Sequence, residues 1–404
     1  MRSLFAVASR PEIVSLAGGM PNVGALPMDT LGALMSEIVT RHGGTALQYG
    51  SAQGDPGLRE QICEVMSLEG IDADPDDILV TVGSQQALDL VTRIFVNPGD
   101  AVVTEGPTYV TALGVFAAHQ AHVVQVGMDR AGVVPEDLAE TFARLAAEGR
   151  PAKLFYTVPT FQNPMGVTLS SGRRHQILDV CRRAGVLVLE DNPYGLLHYS
   201  SEPMRALRAD DPDGVVYLGS FSKTLAPGLR VGWALAPAEV RRKLVLAAES
   251  AMLSHSTFAQ LTVDRYLRTQ PWQAQLGEFR SMYRARRDAM LQSLAAYMPQ
   301  DVSWTIPDGG FFVWVTLPDG LDSKAMLPHA LAARVAYVPG TGFYSDGRGR
   351  RHVRLSFSFP SPDDIRDGVR RLAEVVGEQE RLRDALGCAP TPTKRFMSNS
   401  IHLS

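Results

Sequence analysis

Residues 77–95 read DILVTVG and then SQQALDLVTRIF. The first seven form a short β-branched run that stops at a glycine. The next twelve carry their apolar side chains at helical spacing. A strand that turns into a helix at a glycine is one unit of an alternating α/β chain, and the unit recurs. DAVVTEG (100–106) precedes TYVTALGVFAAH, and HVVQVG (122–127), AKLFYTV (152–158), GVLVLED (185–191), VVYLGSF (215–221) and VGWALA (231–236) continue the series. Strands separated by helices predict an α/β fold, a mostly parallel sheet of about seven strands between helices. Ligands of such a sheet bind beyond the carboxyl ends of its strands.

From about residue 275 the pattern changes. EFRSMYRARRDAMLQSLAAYM (278–298) reads as one long charged amphipathic helix. FFVWVTLP (311–318), VAYVPG (335–340) and HVRLSFSF (352–359) read as strands, with further helix to about residue 384. This predicts a large lobe over 46–274 and a smaller α/β lobe over 275–385. Residues 1–45 are expected as an arm joining the small lobe. Residues 386–404 are polar, contain proline and lack periodicity, and read as a mobile tail.

The 404 residues are 45% hydrophobic, ample for two buried cores, and the net charge is −4. That charge favours neither nucleic acid nor an anionic membrane. No apolar run approaches the roughly 18 residues of a membrane-crossing helix, and the N-terminus lacks the apolar core of a signal peptide. Cys63, Cys181 and Cys388 form neither a metal spacing nor a disulfide framework, which fits a reducing cytoplasm.

The polar motifs fall at the predicted strand ends. In GSQQAL (83–88) the first turn of a helix offers free N–H groups to an anion, with Ser84 and Gln85 beside them; a simple Ser84 N-cap explains the same residues. Tyr109 in EGPTYVTAL (105–113) could stack on a flat ring or sit in the core. Asn163 in FQNPMG (161–166) suits a tight turn or an amide offered to a ligand. In LEDNPYG (189–195), Asp191 ends an apolar strand where an unpaired carboxylate is expensive, so it needs a cation, either a ligand's ring nitrogen or a buried arginine. Tyr194 follows. Last comes GSFSKTL (219–225) with GLRVGW (228–233): Ser220, Ser222 and Arg230 supply phosphate donors around Lys223, and a lysine in a cationic pocket loses its proton more easily.

The ordered set GSQQAL, PTY, NPMG, DNPYG, SFSK and GLRVGW resembles the fold-type I, pyridoxal 5′-phosphate dependent aminotransferases of class I/II, over nearly the whole chain. LAGGMP (16–21), LQYGSAQGDPGLRE (47–60), PDGGFFVW (307–314), VAYVPGTGFYSDG (335–347) and VRLSFS (353–358) fit it too. The branch that acts on 2-aminoadipate, kynurenine and multiple substrates is the most similar. The resemblance implies that Lys223 holds the cofactor as a Schiff base and that Asp191 pairs with its ring nitrogen. Asn163 and Tyr194 would bond the ring oxygen, and Tyr109 would stack on the ring. Ser84, Gln85, Ser220, Ser222 and Arg230 would hold the phosphate. Tyr49 would reach the phosphate of the partner subunit in a homodimer, and Arg354 would clamp the substrate α-carboxylate. Gly19 and Arg2 join the substrate set, Arg2 by alignment with an arginine that reads the distal carboxylate of acidic substrates in some relatives.

The implied activity is transfer of an amino group from an L-amino acid to a 2-oxo acid. Two alternatives share the scaffold. One is a pyridoxal-phosphate enzyme with another outcome: γ-substitution, cyclisation, decarboxylation or oxidation. The other is a regulator with a DNA-binding winged helix in front, for which about 16 residues ahead of LAGGMP leave no expected room.

Overall fold

The protein is described as a computed structural model covering residues 10–199 and 202–386. The expectations for Arg2, for Cys388 and for the tail beyond Leu386 lie outside the described residues. Seven strands form the large sheet: β1 (Ile78–Thr81), β2 (Ala101–Glu105), β3 (His122–Val126), β4 (Ala152–Thr157), β5 (Leu187–Asp191), β6 (Val215–Ser220) and β7 (Gly232–Leu235). Their order is β1-β7-β6-β5-β4-β2-β3. β7 runs antiparallel to both neighbours, and every other pairing is parallel. Each strand lies inside the run that predicted it.

The central strands are mostly apolar because helices cover both faces of the sheet. Alternate residues enter different cores. Val102, Leu154 and Leu189 pack beneath α1 (Gly83–Phe95) with its Leu88 and Val91. Val103, Phe155 and Val188 pack on the other face, beneath α2 (Pro135–Ala147) and α3 (Ser171–Ala184).

A second sheet contains β8 (Ser303–Trp304), β9 (Phe312–Thr316), β10 (Val338–Pro339) and β11 (His352–Ser356), all antiparallel, in the order β8-β9-β11-β10. The single strand expected over 335–340 is split. Val335–Ala336 pairs parallel with Val14–Ser15, whereas Val338–Pro339 pairs with β11. Between them Tyr337 is fully buried, its hydroxyl donating to Ser323 O at 2.7 Å. Helix α4 (Trp272–Tyr297) packs against α5 (Pro362–Ala385). A capping box of Ser361 and Asp364 starts α5. The segment after Ser15 stays on this sheet, with Ser356 N donating to Leu16 O at 2.7 Å. That path carries Gly19 and Met20 towards the ends of the large-sheet strands.

Gly219 of β6 lies directly opposite Trp233 of β7, and a Cβ at position 219 would overlap the indole. Gly219→Ala therefore forces the ring or the strand to move. A loss of about 1–3 kcal/mol is expected, read as a lower urea midpoint. An unchanged midpoint would show that the indole relocates freely.

Candidate active site

The carboxyl ends of β2, β4, β5 and β6 open onto one cavity of about 440 Å³. Phe312 of β9 and Arg354 of β11 close it from the small sheet, together with Gly19 and Met20. The site thus lies where parallel-sheet topology puts it, with a wall supplied by the second sheet.

One end of the cavity is built for an anion. Helix α1 begins there without a side-chain cap on its first turn, so its leading N–H groups stay available. Ser84 does not act as a capping residue; the Gln86 side chain instead accepts from Val82 N at 2.7 Å. Gly232 of β7 runs so close that a Cβ on it would lie 2.7 Å from Ser84 N. Ser220 Oγ donates to Ser222 Oγ at 2.9 Å, and the Arg230 guanidinium reaches Ser222 Oγ at 3.3 Å and Val82 O at 3.0 Å. Serine hydroxyls, a guanidinium and a helix N-terminus converge on one corner, a donor set suited to a phosphate.

Asp191, the last residue of β5, is the buried anion at the other side. Its Oδ2 accepts from the Tyr156 hydroxyl at 2.8 Å, while Oδ1 has no hydrogen-bond partner. Burial raises its pKa to about 6, opposed by the Tyr156 and Ser84 hydroxyls and the Lys223 charge. The arginine ion pair considered from sequence is not made: its hydrogen bond comes from a neutral phenol. Tyr194 is buried edge-on against Phe311 and Phe312, with ring centroids 5.4 and 6.0 Å away, and burial raises its hydroxyl pKa. Tyr109 precedes the helix Val110–Ala118 and also lines the cavity.

Lys223 is part-buried in the wall of the cavity. Its Nζ donates to Gly19 O at 2.9 Å. Burial, then repulsion from Arg354 and Arg230, lowers its pKa to about 8 against the pull of Asp191. Arg354 is buried over the Phe312 ring, 4.1 Å from its centroid, and donates to Asn163 Oδ1 at 2.9 Å and Ala17 O at 2.8 Å. Its Nε has no partner. Gly19 has the Phe312 ring against it: a Cβ would stand 2.7 Å from Cζ.

The cavity therefore gathers Gly19, Ser84, Gln85, Tyr109, Asn163, Asp191, Tyr194, Ser220, Ser222, Lys223, Arg230 and Arg354. Tyr49 is not among them: it is 76% exposed on the surface. Sequence reasoning missed Tyr156 and Phe312. Both belong to strands recognised as strands, but nothing local tells which alternate residue meets the site. Among the described residues no group of His, Cys, Asp or Glu is placed to hold a metal ion, and no helix is long and apolar enough to cross a membrane.

The family profile "aminotransferase class I and II" matches residues 15–372, and the chain belongs to that family. Aromatic-amino-acid aminotransferase 1 of Thermococcus litoralis is 42% identical over 381 residues, 94% of this chain and 91% of the relative. The structure of Pyrococcus horikoshii kynurenine aminotransferase, in complex with PMP and its substrates and products, has a TM-score of 0.90 at 42% identity, covering 94% of both chains. That of LysN, the α-aminoadipate aminotransferase of Thermus thermophilus, complexed with N-(5′-phosphopyridoxyl)-L-leucine, has a TM-score of 0.87 at 33% identity and covers 94% of this chain and 95% of that one. The fold is that of the fold-type I transferases, the cofactor is pyridoxal 5′-phosphate, and the activity is amino-group transfer rather than another reaction on the same scaffold. The residues present fit the cofactor: an unpartnered buried carboxylate oxygen suits a protonated ring nitrogen, and the uncapped helix start with Arg230 suits its phosphate.

In the cofactor-free chain, Lys223 Nζ should become reactive around pH 8, well below the ordinary lysine value of 10.5. Because the folded state disfavours the ammonium, the neutral amine appears as pH rises through 8. Pulse labelling with an amine reagent, read at Lys223 by mass spectrometry, gives the midpoint. Arg354→Gln should move it upward by removing one repelling charge. A wild-type midpoint near 10.5 would contradict the burial of this amine.

Proposed function

We propose, for this member of the aminotransferase class I and II family, that Lys223 is both the covalent anchor of pyridoxal phosphate and the base that moves the substrate proton. The observation that carries this reading is one cavity holding an unpartnered buried carboxylate oxygen, Asp191 Oδ1, and a lysine with a loosened proton. The bound cofactor supplies the electron sink that removal of the donor's α-proton requires. Ser84, Gln85, Ser220, Ser222 and Arg230 bind its phosphate, Tyr109 stacks on the ring, and Asn163 and Tyr194 bond the ring oxygen. Asp191, ionised beside a cation, keeps the ring nitrogen protonated. Arg354 receives the substrate α-carboxylate in a planar fork; its free Nε and its stacking on Phe312 support a guanidinium already held in place. Lys223 Nζ, neutral near pH 8, would take the donor's α-proton and pass it to the cofactor carbon on the far side of the amino nitrogen. The amino donor and the 2-oxo acid use the site in turn, in a ping-pong cycle.

The working unit is a cytoplasmic homodimer in which Tyr49 completes the partner subunit's phosphate site. Exposed apolar side chains support a covering second copy: Leu47 (74% exposed) flanks Tyr49, and Gly50 N donates to Ser254 Oγ, next to exposed Leu253. Cys63 and Cys181 are both free thiols, consistent with a reducing compartment.

Borohydride reduction of the holoenzyme followed by peptide mapping should place the pyridoxyl group on Lys223, and Lys223→Ala should lose both the adduct and turnover. An adduct elsewhere would assign the anchor to another lysine.

Subunit exchange tests the shared site. Tyr49→Asp sets a negative charge against the phosphate of the neighbouring site and should inactivate it. Mixed with Lys223→Ala, a heterodimer gathers both lesions in one site and frees the other. Random pairing makes about half of the dimers mixed, so roughly a quarter of all sites should recover. No recovery, with mixed dimers confirmed by mass spectrometry, would show that each site is built from one chain.

A further inference from the structure

Two residues of the DNPYG run, Asn192 and Gly195, do not line the cavity although Asp191, Pro193 and Tyr194 do. Both meet a carboxylate from far earlier in the chain. Glu69, just beyond the helix Pro56–Ser67, is 4% exposed. Its Oε1 accepts from Asn192 Nδ2 at 2.7 Å and its Oε2 from the Tyr217 hydroxyl at 2.8 Å. Its backbone carbonyl accepts from Ala206 N at 2.9 Å. A Cβ on Gly195 would overlap Glu69 Oε1, so position 195 has no side chain because the carboxylate fills that space.

A buried carboxylate is a poor choice for filling volume, since an apolar side chain would avoid the cost of desolvation. Glu69 has no compensating guanidinium: Arg174, the nearby cation, directs its donors to Leu169 O, Pro159 O, Arg205 O and Thr160 Oγ1. What the carboxylate does gain is a fixed relation between two strand ends. Asn192 is the residue after Asp191, at the end of β5. Tyr217 is in β6, whose exit carries Ser220, Ser222 and Lys223. We propose that Glu69 is a positioning residue for amino-group transfer, a clamp behind the cavity that holds Asp191 and Lys223 at their working separation through Asn192 and Tyr217, with Gly195 kept bare to admit it. The proposal rests on the reading of this cavity as the cofactor site.

Holoenzymes of Glu69→Gln, Asn192→Ala and Gly195→Ala test it by cofactor dissociation constant, kcat, KM for the amino donor and thermal midpoint. Glu69→Gln replaces one of the two acceptor oxygens with an amide N–H donor, so one of the two bonds from Asn192 and Tyr217 is lost. Asn192→Ala keeps the carboxylate and removes one of its bonds, so it serves if Glu69→Gln does not fold. Each should weaken cofactor binding and lower kcat about tenfold, the scale of one hydrogen bond to a charged group, with donor KM changed less than about twofold because Arg354 stands on the other sheet. Leu145→Ala, on the buried face of α2, gives a comparison in which stability falls while cofactor affinity holds. Gly195→Ala should be more harmful in the wild type than in a Glu69→Ala background, where the carboxylate is gone and only the Asn192 amide, 2.8 Å from such a Cβ, remains in the way. Cofactor affinity and kcat within twofold of wild type in both clamp variants would overturn the proposal, as would an equal Gly195→Ala effect in the two backgrounds. Borohydride mapping of the same preparations separates the two claims. An adduct off Lys223 overturns the site reading, whereas an adduct on Lys223 with unchanged affinity overturns only the clamp.

Discussion

Asp191 Oδ1 is a carboxylate oxygen buried at the end of a central strand with nothing to bond to. Such an atom is costly in a folded protein unless a ligand completes it. Burial already lifts this carboxyl to about 6. A cation placed against it restores the anion and binds tightly in return. The surrounding geometry reads as support for that exchange: the Tyr156 hydroxyl holds the second oxygen, and Lys223 approaches with its proton loosened.

The same solution recurs around it. Glu105 ends β2 as a buried carboxylate, accepting from Thr157 Oγ1 at 2.6 Å, Val158 N at 3.1 Å and Gln162 Nε2 at 3.0 Å. Gln162 then bonds Pro107 O and Met165 N, tying the approach to Tyr109 to the loop of Asn163. Glu190, in β5, takes the amides of Leu207 and Arg208. These acids are satisfied by neutral donors rather than by salt bridges. Hydrogen bonds are directional where charge pairing is not, so such a network fixes loops in place. Glu105 and Glu190 do not line the cavity themselves, but their bonds tie down the segments beside it.

The opposite wall comes from the second sheet. Arg354 reaches across from β11 to Asn163 and to Ala17 O of the N-terminal segment. Its guanidinium is thus oriented by a loop of the large lobe on one side and by the N-terminal segment on the other. Any motion of the small sheet would move Arg354 relative to Asp191 and Lys223.

The sequence by itself determined the strands, their mostly parallel arrangement and twelve of the nineteen residues that line the cavity. Those signals are local: apolar runs that close on a glycine, polar residues just past them, and motifs such as DNPYG and SFSK in a fixed order. It also predicted a strand over 335–340 that the fold breaks at Tyr337, because two short segments find different partners. Only the tertiary structure decided which alternate residue of a recognised strand faces the site, as with Tyr156 under Asp191 and Phe312 under Arg354. It alone showed why DNPYG carries Asn192 and Gly195, since their partner Glu69 lies 123 positions before Asn192. Hydrophobic period and turn chemistry act over a few residues, whereas a hydrogen bond between distant segments exists only once the chain has packed them together.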